Sequence, residues 1–98
     1  MLGMHDTSLD GLDFVERRNG SAIFDWRVTD GPSAGVAIPT AVATVLDTDA
    51  VSLPPLARTI DPEQLHTLLV EGADVRITFS YQGCEVVVDA VGRLRVVE

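Results

Sequence analysis

The chain has 98 residues, 46% of them apolar and 22% charged, the proportions of a single folded domain rather than of a disordered tail. No apolar run approaches the ~20 residues of a membrane-spanning helix, and the lone cysteine, Cys84, excludes an internal disulfide framework and a cysteine-based zinc cluster. Fifteen acidic residues against seven basic ones give a formal net charge of −8, which disfavours nucleic-acid phosphates and anionic membranes as simple partners.

Residues 1–11 read as a polar, glycine-containing lead, expected to be flexible, without the basic start or apolar stretch of a secretory signal. From Leu12 to Val28 the chain reads as extended, with a strand at about 22–28 and a partner at 12–18. Between them Asn19-Gly20 suits a type I′ hairpin turn. Gly31-Pro32-Ser33 then breaks the chain.

Ala37, Ala41, Val42, Val45 and Leu46 recur at helical spacing and predict a first helix over about 36–47. Proline is damaging inside a helix, so regular hydrogen bonding is expected to begin near Pro39. Leu53-Pro54-Pro55-Leu56 then forces extended backbone and predicts a stiff connector. The second helix has the clearest start signal in the chain. Asp61 is a capping acid, Pro62 occupies the first helical position, Gln64 completes a capping box, and Ile60 with Leu65 forms a hydrophobic staple. Leu65, Leu68 and Leu69 are its expected apolar stripe, and Gly72 its stop.

The last 24 residues read as an antiparallel meander whose register follows from its turns. Val75, Ile77, Phe79 and Tyr81 alternate with Arg76, Thr78 and Ser80. A two-residue turn at Gln82-Gly83 sets Tyr81 opposite Cys84, Phe79 opposite Val86 and Ile77 opposite Val88. A type I turn with a glycine bulge over Ala90-Val91-Gly92 sets Val88 opposite Leu94 and Val86 opposite Val96. A two-residue turn there would send Leu94 and Val96 to the other face, since a one-residue slip inverts a strand. The outer face would then carry Arg76, Asp89 and Arg93 as ionic neighbours, with Val87 and Val97 apolar and exposed. The expected architecture is a two-layer α+β domain over residues 12–98. Two helices cover one face of an antiparallel sheet, which has a C-terminal three-stranded meander and an N-terminal strand.

The chemistry-bearing residues give no enzyme signature. His66 has no second ligand at i±4 and reads as a surface histidine on a polar helix face, and His5 as solvated. Cys84 faces the core and lacks a neighbouring base. The pairs Asp47/Asp49 and Asp10/Asp13 lack a calcium-loop spacing, and the glycines form no phosphate loop. No catalytic residue, cofactor, metal or small-molecule substrate is therefore expected. Trp26 reads either as a core residue or as an aromatic anchor for a partner.

Leu53-Pro54-Pro55-Leu56-x-x-x-Ile60-Asp61-Pro62-x-x-Leu65-x-x-Leu68, with Phe79-x-Tyr81-x-Gly83-x-Glu85-Val86-x-Val88-Asp89 and Gly92-Arg93-Leu94, resembles the haloarchaeal (halobacterial) output domain family over roughly residues 22–97. Two positions depart from its usual pattern. Ala57 stands where an aromatic commonly follows Leu-Pro-Pro-Leu, and Val91-Gly92 where Asp-Gly is common. The resemblance implies a small, standalone output or interaction module of a salt-loving archaeon, with no established catalytic residues to carry over. The composition, read separately, agrees. All seven basic residues are Arg, Lys is absent, and ten of the fifteen acids are Asp, which suits concentrated salt as well as an Arg-rich codon usage. The expected function is thus a cytoplasmic, non-catalytic signalling or protein-interaction role. The partner would be another protein or a second copy bound through the sheet, on a surface drawn from Trp26, Val87, Arg93, Arg95 and Val97. The competing expectation is a transcriptional regulator binding nucleic acid through a strip of Arg17, Arg18, Arg27, Arg93 and Arg95.

Overall fold

Three turns set the sheet in the computed structural model, which describes residues 11–72 and 74–98. Asn19 and Gly20, with φ of 50° and 80°, reverse the chain between β1 (Leu12–Arg18) and β2 (Ser21–Trp26). Gln82 and Gly83, with φ of 54° and 79°, do the same between β3 (Arg76–Tyr81) and β4 (Cys84–Asp89). Both pairs have the left-handed backbone of a type I′ turn. The third turn joins β4 to β5 (Arg93–Val97). Its organiser is the Asp89 carboxylate, which accepts the amides of Val91, Gly92 and Arg93 at 3.1, 3.2 and 3.0 Å. Gly92 lies at φ 108°, and a side chain there would strike the Trp26 carbonyl, so this position requires glycine.

The registers are those expected. Tyr81 pairs with Cys84, Phe79 with Val86, Ile77 with Val88, Val88 with Leu94 and Val86 with Val96. The strand order is β1-β2-β5-β4-β3, all neighbours antiparallel, so the β1–β2 hairpin extends the meander sideways and does not lie across it. In β1 a bulge at Val15, between Phe14 and Glu16, shifts the register. Arg17 thereby turns to the helix side, where its guanidinium donates to the Val45 carbonyl at 3.3 Å.

The helices α1 (Ala34–Leu46) and α2 (Pro62–Glu71) cover one face, giving the α+β architecture. α1 lies over β2 and β5, and α2 packs beside it. Ala34, Ala37 and Ala41 keep the buried side of α1 shallow enough to seat closely on the sheet, whose Ala22, Phe24, Leu94 and Val96 belong to the same core cluster. Val86, Val88, Leu94 and Val96 are each 0% exposed, and burying such side chains stabilises by roughly 1.5–3 kcal/mol apiece. The proline connector is tied to the sheet by the Tyr81 hydroxyl, which donates to the Pro54 carbonyl, while Leu56 enters the core from a single 3₁₀ turn.

Several local expectations are corrected. Helix α1 begins at Ala34, two residues earlier than expected, and Pro39 lies buried within it. The missing Pro39 donor would have served the carbonyl of Gly35, an exposed residue that water can solvate, so the loss is tolerated. On α2 the capping acid performs as expected, its carboxylate accepting the amides of Glu63 and Gln64 at 3.0 and 3.4 Å. The inward arc, however, runs through Leu65 and Leu69 and leaves Leu68 53% exposed. His66 flanks that arc. It is half-buried, its ring is 6.1 Å from the Trp26 ring, and its Nδ1 is buried without a hydrogen-bond partner among the described residues. The reading of His66 as a surface histidine is thus wrong. Gly72 ends the helix in extended, not left-handed, backbone, and glycine is needed there because a side chain would collide with Val75. Residues 1–10 of the expected lead lie outside the described residues, whereas Gly11 is buried and its carbonyl accepts the Arg27 amide at 2.7 Å.

Candidate interaction surface

Strand pleating sends alternate residues to opposite faces, and here only one face is covered by described residues. Three cross-strand rows define the other. The first runs Arg18, Ser21, Val97, Glu85 and Ser80, the second Glu16, Ile23, Arg95, Val87 and Thr78, and the third Asp13, Asp25, Arg93, Asp89 and Arg76. Ile23, Val97 and Val87 are half-buried on β2, β5 and β4, with the exposed Arg95 standing between Ile23 and Val87 and Arg93 exposed one row away. Charges of both signs are interspersed on this face, with Asp13, Glu16 and Arg18 on β1, Asp25 on β2, Arg93 and Arg95 on β5, Glu85 and Asp89 on β4, and Arg76 on β3.

Of the five residues singled out from the sequence, four come together here: Val87, Arg93, Arg95 and Val97. Trp26 does not. It faces the helices, is 2% exposed and donates its indole N–H to the Pro32 carbonyl at 2.8 Å, so the core reading holds and it offers nothing to a partner. Ile23 was missed. The signal was available in the adjacent pair Ile23/Phe24, since two apolar neighbours on a strand must face opposite ways. The ionic cluster expected of Arg76, Asp89 and Arg93 is also corrected. Among the described residues the ion pair within 4.0 Å is Arg18–Glu16, at 3.9 Å, and the Asp89 carboxylate is occupied by turn amides. Nor do the five arginines of the nucleic-acid reading form one strip, because Arg17 is bound to the helix side and Arg18 to Glu16.

Two further features of the described residues bear on chemistry, the titratable groups of the core and a groove along α2. Burial pushes the Tyr81 hydroxyl up from its ordinary pKa, and burial followed by the Glu98 carboxylate does so for the Cys84 thiol. An open groove of about 640 Å³ runs along α2, bordered by Ser33, Gly35, Pro62, His66 and Leu68. Among the described residues no three His, Cys, Asp or Glu side chains converge on a metal position. No helix of the described residues is long and apolar enough to cross a membrane.

Residues 30–98 match the family described as halobacterial output domain 1. The chain belongs to that family. The match takes in both helices, the proline connector and the β3–β5 meander, whereas β1 and β2 precede it although they share the same sheet. No curated protein and no solved structure matches the chain.

Proposed function

We propose that this output domain is a non-catalytic signalling module of the cytoplasm of a salt-adapted cell, working through protein–protein contact made by its sheet. The observation that carries the reading is the sheet face that the described residues leave uncovered. In an antiparallel sheet with one solvated side, outward positions are usually polar. Here Ile23, Val87 and Val97 interrupt that rule on three adjacent strands, with Arg95 between Ile23 and Val87 and Arg93 in the next row. Apolar side chains interleaved with arginine are in keeping with the composition of a protein docking patch. Family membership supports the signalling half of the reading, because output domains are named for the final element of a response.

The test uses immobilised chain in concentrated KCl. A protein retained from extract and then purified should bind the wild type and the remote Glu63→Gln variant, and should lose binding to Val87→Asp and Arg95→Glu. Equal binding to all four would contradict the proposal. The proposal extends to a second copy of the chain as partner, read by light scattering as mass against protein concentration.

A further inference from the structure

We infer that the chain pairs with a second copy through the edge of β3, which no other described strand pairs, antiparallel and with Thr78 opposite Thr78 of the other copy, joining two five-stranded sheets into one of ten strands. The inference rests on the protein-contact reading above and specifies how self-association occurs. The sheet has two edges, and they differ. β1 carries a bulge and the charges of Asp13, Glu16, Arg17 and Arg18, devices that block strand addition. β3 has no bulge and no proline, and Arg76 is its one charged residue. In a chain of net charge −8, a strand without a carboxylate is where two copies repel least.

The register follows from the backbone. A two-residue turn is closed by a hydrogen-bonded pair, here Tyr81 and Cys84, and such pairs alternate along the ladder. Tyr81, Phe79 and Ile77 therefore turn their N–H and C=O toward β4, and the Val75 carbonyl, which accepts the Ala90 amide at 3.1 Å, continues that series. Arg76, Thr78 and Ser80 turn theirs to the free edge. Placing Thr78 opposite Thr78 sets Arg76 opposite Ser80 twice, so all three outward residues of each copy find partners. Shifting by two residues either way leaves one residue of each copy unpaired or drives it into a turn. On the helix side the chosen register sets half-buried Ile77 opposite Phe79 of the other copy, an aromatic and β-branched pair. On the outer side Arg76 stands in line with Glu85 of the other copy, beyond the small Ser80. The two uncovered faces then lie on the same side as one surface.

The experiment measures mass by light scattering in concentrated KCl for the wild type and Thr78→Pro, with hydrogen exchange at the Thr78 amide. It also oxidises single cysteines placed in a Cys84→Ala chain. Proline at 78 removes an N–H that points away from β4, and an unchanged far-ultraviolet circular dichroism spectrum with a cooperative melt verifies that the fold is kept, since loss of the dimer alone lowers the melting temperature. The expected results are a wild-type dimer with a slowly exchanging Thr78 amide, a monomeric Thr78→Pro, and cross-linking by Thr78→Cys. Arg76→Cys or Ser80→Cys alone should not cross-link, its own copy lying roughly 14 Å away. A dimer that survives Thr78→Pro, with no Thr78→Cys cross-link, overturns this register while leaving self-association through another surface. A strictly monomeric wild type overturns the register and self-association together.

Discussion

Val86 and Val87 are chain neighbours of identical chemistry, yet Val86 is wholly buried beneath the helices and Val87 is half-buried on the open face. The same division separates Leu94 from Arg95 and Val96 from Val97. Along β4 and β5, one parity of residue supports the fold and the other forms a surface with nothing over it among the described residues. The difference shows that apolar character alone does not locate a core. The face a residue takes is set by the pleat and by the turn that fixes its register. Substitutions on the two faces should therefore have opposite consequences for stability and for contact.

The largest expected effect lies on the covered side. Leu94→Ala should cost about 2–5 kcal/mol in denaturant unfolding, because it opens a void under α1. Removing the hydroxyl in Tyr81→Phe leaves the Pro54 carbonyl without its donor and should cost about 1 kcal/mol, read by the same measurement. Asp61→Ala should also cost about 1 kcal/mol, by stripping the acceptor from the Glu63 and Gln64 amides. On the open side Arg95→Ala should change stability by less than about 0.5 kcal/mol while weakening partner binding. A loss comparable to that of Leu94→Ala would mean the two faces are not distinct.

Alkaline pH should weaken the covered side without any substitution. Burial holds the Cys84 and Tyr81 protons in the folded state more tightly than in the unfolded chain. The unfolded thiol ionises first as pH rises past about 8.5, and the unfolded phenol near 10, so stability should decline across that range and be insensitive to both groups below it. Folded chain should correspondingly resist thiol alkylation, and rapid modification at pH 8 without unfolding would contradict the burial of Cys84.

Much of the architecture was legible because its signals are local. Gln82-Gly83 and Asp89–Gly92 dictated the meander register, and Asp61-Pro62 the start of α2, each through backbone chemistry confined to a few residues. The features that depart from expectation depend on packing between elements. The rotation of α2 about its axis decides whether Leu68 or His66 meets the core, and ten residues of helical period do not determine it to within one position. Pro39 within α1 follows the same logic, since whether a helix tolerates proline depends on whether water reaches the freed Gly35 carbonyl. The candidate surface was read from the strand parity of Val87 and Val97. That the β1–β2 hairpin lies beside the sheet and not over it is a matter of topology.

Methyl relaxation by a neutral, soluble paramagnetic probe tests the division of the two faces most directly. The account predicts strong enhancement at Ile23, Val87 and Val97, little at Val86, Val88, Leu94 and Val96, and loss of the enhancement at the first set when a bound protein covers it. Equal enhancement on both sets, or a bound partner that leaves Ile23, Val87 and Val97 as accessible as before, would contradict it.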